Sequence, residues 1–387
     1  MTVDGKGGDM VLENARVVLA DHVIGRGFVA VAGGRIVEVG EGKAPEKGED
    51  VAGDFVMPGL VELHTDHIEA HHMPRPKVYW NPIAAVVSYD AQLATSGIIT
   101  VLDSLRLWRE EGEIEEVGQA EILANAIAEA RSSNLLRADH FLHLRCEIPT
   151  PFLLDEALRL IGREEVRLAS LMDHTPGQRQ FRDETKLRDY YRGKKGGMTD
   201  AELDVMFARR IEYQKAYAEV NMRSMVALAR KHEVPLASHD DTTIEHVGDA
   251  VRDGVAVAEF PTTMEAAAGL HEAGVQILMG APNVVRGGSH AGNIAAVDLA
   301  KAGLLDILSS DYVPSSLLMG AMQLPARVPG IDLASAIRTV TCNPAKAVGL
   351  NDRGTIAAGQ RADLIRVHMA GDVPVVRSAW REGCRVA

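Results

Sequence analysis

The chain has 387 residues, with 41 Lys and Arg against 54 Asp and Glu, giving a formal charge of −13 with His neutral. That field repels a phosphate backbone and argues against a basic, non-specific nucleic-acid binder, and no run of about 18 apolar residues is present to span a membrane. Three cysteines, Cys146, Cys342 and Cys384, are too few for a disulfide framework; with no signal-peptide pattern at the N-terminus, a reducing, cytoplasmic setting is expected.

Residues 9–57 read as β-rich. MVLENARVVL and GFVAVAGGRIVEV carry the β-branched and alternating text of strands, with Gly33-Gly34 as a hairpin turn. From Pro58 the character changes to short apolar runs separated by helical patterns, the signature of βαβ units. Eight such runs occur, at 59–66, 98–104, 140–147, 166–174, 234–240, 255–261, 275–283 and 304–311. Gly97, Gly254, Gly274 and Gly303 close intervening helices, and Thr199 with Glu202, Thr242 with Glu245 and Thr262 with Glu265 read as capping boxes. Eight parallel strands with covering helices predict an α/β fold of the (β/α)₈ barrel type.

Between the fourth and fifth runs lies a long connection, 175–233. It holds a charged stretch and then a helix from Thr199 to His232, in the place of a lid over the active-site face. After Thr341 the text becomes strand-like again. The predicted organisation is a small composite β-domain from 1–57 and 345–387, with the barrel at 58–344.

The polar residues at the ends of the apolar runs carry the chemistry. His64, Asp66, Glu147, Asp173, His174, His239, Asp240, Glu259 and Asp311 all fall where barrel enzymes build their sites. Taken singly, each has an ordinary reading, and Asp240 reads more readily as a helix cap. Taken together, imidazoles and carboxylates converging on one rim suit a divalent metal. Cys146 alternates with Glu147 and is expected on the opposite face as a packed thiol. Neither a GxGxxG fingerprint nor a P-loop lysine motif is present.

VMPGLVELHTD, followed by the later strand-end His and Asp residues, resembles the amidohydrolase superfamily. The resemblance implies a distorted (β/α)₈ TIM barrel, a small β-sandwich made by both termini, and one or two divalent ions, Zn²⁺ foremost, with Mn²⁺ or Fe²⁺ as the other candidates. HTDHIEAHHMPRPKVYW, LMDHTPGQRQF, ASHDDTT, AEFPTTMEAA, MGAPNVVRGGSHAGN and SSDYVPSS are similar to the phosphonate-metabolism branch of that superfamily. This implies a phosphoric anhydride hydrolase, a diphosphatase, whose partner is a small phosphorylated ribosyl phosphonate, with neither nucleic acid nor membrane involved and self-association left open.

Carried over position by position, the resemblance implies metal ligation by His64, Asp66, Glu147, His174, His239 and Asp311. Asp311 would also handle the proton. The chain departs from the superfamily pattern in three places: His64-Thr65-Asp66 stands for His-x-His, no lysine ends a strand so Glu147 takes the bridging place, and Glu259 stands where a sixth-strand histidine is usual. Arg75, Lys77, Arg179, Glu259, Asn283, Arg286, Ser289 and His290 are the candidate substrate contacts, because arginine forks and Gly-rich backbone suit phosphate. Arg182 reads equally well as a solvated surface charge, while His71 and His72 read more readily as ordinary loop residues. Two rivals stay open: hydrolysis of a C–N bond on the same scaffold, and a non-catalytic barrel.

Overall fold

The structure is a computed structural model that describes residues 7–108, 118–182, 184–193, 197–289 and 292–387. The N-terminal region forms β1 (Met10–Val18), β2 (Val23–Ala32), β3 (Arg35–Glu41), β4 (Glu49–Asp50) and β5 (Phe55–Pro58). Gly33 and Gly34 turn β2 into β3 with φ of 58° and 77°, a pair of left-handed residues suited to a two-residue hairpin loop. A Cβ on Gly34 would stand 2.9 Å from the Glu382 carbonyl oxygen, so close packing also demands glycine there.

The barrel strands follow: β6 (Leu60–Thr65), β7 (Ile98–Leu107), β8 (Asp139–Glu147), β9 (Val166–Met172), β10 (Leu236–His239), β11 (Val257–Glu259), β12 (Gln276–Gly280) and β13 (Ile307–Ser309). All eight predicted runs are strands. They pair in parallel in chain order, and the seam between β13 and β6 is drawn together where the Asp311 amide donates to the His64 carbonyl at 3.1 Å.

The C-terminal strands β14 (Leu364–Ala370), β15 (Val373–Arg381) and β16 (Cys384–Arg385) return to the N-terminal sheet, where β14 pairs antiparallel with β5. The two ends thus make one eight-stranded sheet over a core that includes Leu12, Val17, Ile36, Val56, Leu364 and Trp380. Asp139, at the foot of β8, clamps that sheet to the barrel through Arg353 at 2.8 Å and Arg361 at 2.7 Å.

The barrel interior is layered with the two-residue period of its strands. Val61, Leu102, Leu168, Ala237, Val257, Leu278 and Ile307 form an apolar plug, with Phe141 packed against it. Two residues further along, the same faces carry Ser104, His143, Ser170, His239, Glu259 and Ser309, all buried. The plug therefore floors the polar layer on which the site is built. On β8 the alternation continues through His143, Arg145 and Glu147, while Cys146 is buried on the other face in the outer core, as expected.

The connection after β9 contains the helices Glu184–Gly193 and Asp200–Lys231. The second carries the expected capping box of Thr199 and Glu202. The other two expected boxes sit one residue off. Thr243 and Thr263 are the caps, and Thr242 and Thr262 hydrogen-bond each other at 2.8 Å across neighbouring loops. No helix among the described residues is long and apolar enough to cross a membrane.

Candidate metal centre

Three strand ends bend into the site through left-handed residues: Asp240 after β10 (φ 56°), Phe260 after β11 (55°) and Asp311 after β13 (55°). Aspartate adopts this conformation readily; a bulky phenylalanine does so at a cost of roughly 1 kcal/mol. The Phe260 ring stands edge-on to His64 at 5.1 Å and to His239 at 5.3 Å, so the strained turn wedges an aromatic side chain against both imidazoles.

Carboxylates orient the imidazoles from behind. Glu259, fully buried, accepts from His64 Nδ1 at 2.9 Å and from His239 Nδ1 at 3.0 Å. Glu147 accepts from His174 Nδ1 at 2.5 Å. A carboxylate can only accept, so in neutral His64 and His239 Nδ1 carries the proton and the Nε2 lone pair is left for the cavity. Burial pushes His64 and His239 down to about 3, which keeps both neutral, the form that binds metal. His143 lies underneath, edge-on to His64 at 5.1 Å and held by Ser170 at 2.9 Å.

The other acids divide by their surroundings. Burial would raise Glu147, but His174 and then Arg106 and Arg145 hold it well below the usual carboxylate range. Burial raises Asp240 to about 7 against the opposing charges of His174 and Arg179. Burial together with the Asp66 charge raises Asp311 to about 7. Glu62, also raised to about 7 by burial, accepts from the amides of His64 at 2.7 Å and Ser310 at 2.6 Å, pinning the seam below the site.

The donor set suits a divalent cation. Ligand atoms of His174, His239 and Asp240 lie within 4.8 Å of one another, and His64, His239 and Glu259 form a second such group, so the two meet at His239. The Asp240 Oδ2 is 3.6 Å from His239 Nε2 and 3.9 Å from His174 Nε2. Among the described residues Glu147 Oε2 is buried with no hydrogen-bond partner, an orphan oxygen that a cation would satisfy. Mixed imidazole and carboxylate donors fit Zn²⁺, Mn²⁺ or Fe²⁺.

These groups open on a cavity of about 1150 Å³. His64, Asp66, Glu147, His174, His239 and Asp311 all line it, as do Asn283, Arg286 and Ser289 on the facing wall. Asp66 is paired with Arg145 at 2.9 Å. His290 lies outside the described residues.

Four expected substrate contacts lie elsewhere. Arg75 and Lys77 occupy an exposed turn, with Arg75 bridged to Val78, and neither reaches the cavity. Arg179 is committed to the His239 carbonyl at 2.7 Å and to Asp241 at 2.6 Å, so it braces the rim. Glu259 sits behind His64 and His239 and does not line the cavity. His71 and His72 hydrogen-bond Gln92 and Gln119, each at 2.9 Å.

Besides Arg286, the cationic groups lining the cavity are Arg106, Arg145, Lys186 and Arg210, none of which the strand-end pattern singles out. Arg145 was legible, two residues before Glu147 on one strand face. Arg106 was hidden because β7 runs to Leu107, beyond the predicted end at 104. Asp240 is a cavity residue, since Thr243 takes the capping role.

Comparison with known proteins gives a consistent family. The Amidohydrolase family model matches residues 115–373. The chain is 43% identical over 380 residues to the alpha-D-ribose 1-methylphosphonate 5-triphosphate diphosphatase of Escherichia coli (strain K12), covering 97% of this chain and 100% of that one. An adenine deaminase of Listeria monocytogenes is 22% identical over 92% of this chain and 54% of its own length. Among solved structures, N-acetyl-D-glucosamine-6-phosphate deacetylase from Mycobacterium smegmatis superposes with a TM-score of 0.62 at 19% identity, covering 98% of this chain and 100% of that one. The 5-methylcytosine deaminase from Klebsiella pneumoniae does so with a TM-score of 0.65 at 14% identity, covering 98% of each chain. On the full-length match and the barrel with its terminal sheet, the chain belongs to the amidohydrolase family.

Proposed function

We propose that this protein is a divalent-metal phosphoric anhydride hydrolase that converts α-D-ribose 1-methylphosphonate 5-triphosphate to the 5-phosphate and pyrophosphate. The observation that carries this reading is the 43% identity, end to end, with the E. coli diphosphatase of that name. The cavity supports it: imidazoles and carboxylates on the floor face guanidinium groups on the wall, the pairing that a metal-dependent reaction on a polyphosphate needs.

His64, His174, His239 and Asp240 would hold the ion, with Glu147 Oε2 and Asp311 completing its surroundings. When bound, such a cation makes water nucleophilic near neutral pH and neutralises phosphoryl charge. Asp311 is placed to take the proton from the attacking water and pass it on; its raised pKa suits exchange close to neutrality. Arg145 holds Asp66 and presents positive charge to the cavity beside Glu147. Asn283 is fixed by the Ala296 amide at 3.0 Å and so offers a rigid wall against the substrate.

The test is product analysis on the metal-loaded enzyme with the ribosyl triphosphate and a panel of amides. Pyrophosphate release from the triphosphate alone is the expected result. Release of ammonia or a carboxylic acid from an amide, with no pyrophosphate, would overturn the proposal in favour of C–N chemistry.

A further inference from the structure

Beside the main cavity lies a second one of about 610 Å³, and Arg106, Tyr191 and Arg210 line both. Arg106 comes from β7, whereas Arg210 comes from the helix Asp200–Lys231 in the connection after β9. The two guanidinium groups share one aromatic ring: Arg106 Cζ is 4.9 Å and Arg210 Cζ is 5.1 Å from the Trp108 ring centre. Arg210 also donates to the Tyr191 hydroxyl at 2.9 Å. Among the described residues Arg210 has no carboxylate partner, and Arg106 has one at a distance, Glu147 at 3.5 Å. The acid lining the smaller cavity, Glu202, is engaged in the capping box with Thr199.

Two like charges held on one aromatic platform repel each other unless something negative joins them. Arg145 and Arg179 differ, since each already has a close carboxylate partner, Asp66 and Asp241. Guanidinium forks held by stacking lose little freedom on binding and match phosphate oxygens in a bidentate manner. Arg106 reaches to 3.5 Å from Glu147, so the platform borders the imidazole cluster, and it also opens on the neighbouring space of about 610 Å³.

We infer that Arg106 and Arg210, stacked on Trp108, form an anion subsite bordering the metal centre that grips the two terminal phosphates of an organic triphosphate, the part that leaves as pyrophosphate. The inference rests on the diphosphatase reading and deepens it, because it places the leaving group toward the lid helix and the sugar toward Asn283 and Arg286. The inserted helix thereby gains a chemical role, since its Arg210 makes the enzyme selective for a triphosphate over a monophosphate ester.

The experiment compares the metal-loaded wild type with Arg210→Met, which keeps the packing stem, and with Arg223→Met, a control on an exposed part of the same helix. Calorimetric titration with inorganic pyrophosphate should show affinity lost roughly ten- to hundredfold in Arg210→Met, with Arg223→Met within about twofold of wild type. KM for the triphosphate should rise by a similar factor, with a smaller change in kcat. Pyrophosphate affinity unchanged in a folded Arg210→Met, or a selective loss of methylphosphonate binding instead, overturns the inference. Should Arg210→Met fail to fold, the double variant Trp80→Phe/Trp380→Phe leaves Trp108 as the one remaining tryptophan of three. Its emission must then change on saturation with pyrophosphate, and silence overturns the inference. The two readings separate cleanly. A wild type that releases pyrophosphate while Arg210→Met matches it throughout refutes the subsite alone. A wild type that binds pyrophosphate through Arg210 but releases none from the ribosyl triphosphate refutes the diphosphatase reading alone.

Discussion

Replacing Glu259 with Gln keeps the size of the side chain but removes one of its two acceptors. In the native site one oxygen accepts from His64 Nδ1 at 2.9 Å and the other from His239 Nδ1 at 3.0 Å. The amide oxygen of Gln can serve one imidazole, which leaves its NH₂ group facing the N–H of the other at hydrogen-bond distance. Two donors cannot share that space, and Glu259 is fully buried, so water cannot relieve the clash. The second imidazole must therefore move its proton to Nε2, which removes the lone pair that faces the cavity. Losing this kind of orienting contact lowers metal affinity by roughly 10- to 100-fold, about 1.4–2.7 kcal/mol. Metal dissociation constants of Glu259→Gln and wild type, measured by competition with a chromophoric chelator, would check this, with turnover followed in parallel. A Glu259→Gln protein that binds metal within about twofold of wild type and turns over normally would refute the orienting role.

Asp311→Asn should collapse turnover while most of the metal stays bound, as read by metal analysis of the purified variant; near-normal activity would remove Asp311 from the proton path. Burial alone would lower His140, but Asp103 at 2.8 Å and Asp90 at 3.3 Å raise it to about 10. Because that folded value lies above the ordinary one, the stabilisation is complete below roughly pH 6.5 and fades as pH rises through about 10. Urea midpoints between pH 7 and pH 10.5 should fall accordingly in wild type, and a flat profile would contradict a charged His140. Asp139→Ala removes the carboxylate that Arg353 and Arg361 share, while Asp352 and Asp363 still pair with them, and should cost roughly 2 kcal/mol of stability in urea denaturation. Loss below about 1 kcal/mol would mean that the clamp between sheet and barrel is dispensable.

Much of the fold was legible because its determinants are local. A short apolar run between helical patterns marks a buried strand, and all eight runs became barrel strands. Thr199 and Glu202 satisfy helix amides within one turn, so the helix start was visible, and its end at Lys231, with His232 as the cap, followed from the same reading. Gly33-Gly34 specified a hairpin through backbone freedom alone. Where two threonines adjoin, as at Thr242-Thr243 and Thr262-Thr263, either can cap, and the choice fell to whichever hydroxyl was not needed between loops.

The site was legible only in part. Polar residues at strand ends pointed to His64, Glu147, His174, His239 and Asp311, all of which line one cavity, because strand direction alone carries them to one rim. What each group does there depended on partners far away in sequence. Arg179 reads as a phosphate ligand until Asp241, 62 residues on, neutralises it. Glu259 reads as a substrate contact until His64, 195 residues earlier, closes over it. Arg106 and Arg210 mean little separately and become a cationic wall only when the inserted helix lays one beside the other. Short apolar runs and capping thus determined the barrel, the inserted helix and the rim from sequence. The pairing of charges across that rim was decided by the tertiary structure, because a side chain's electrostatic neighbours are set by which strands and loops the closed barrel brings together.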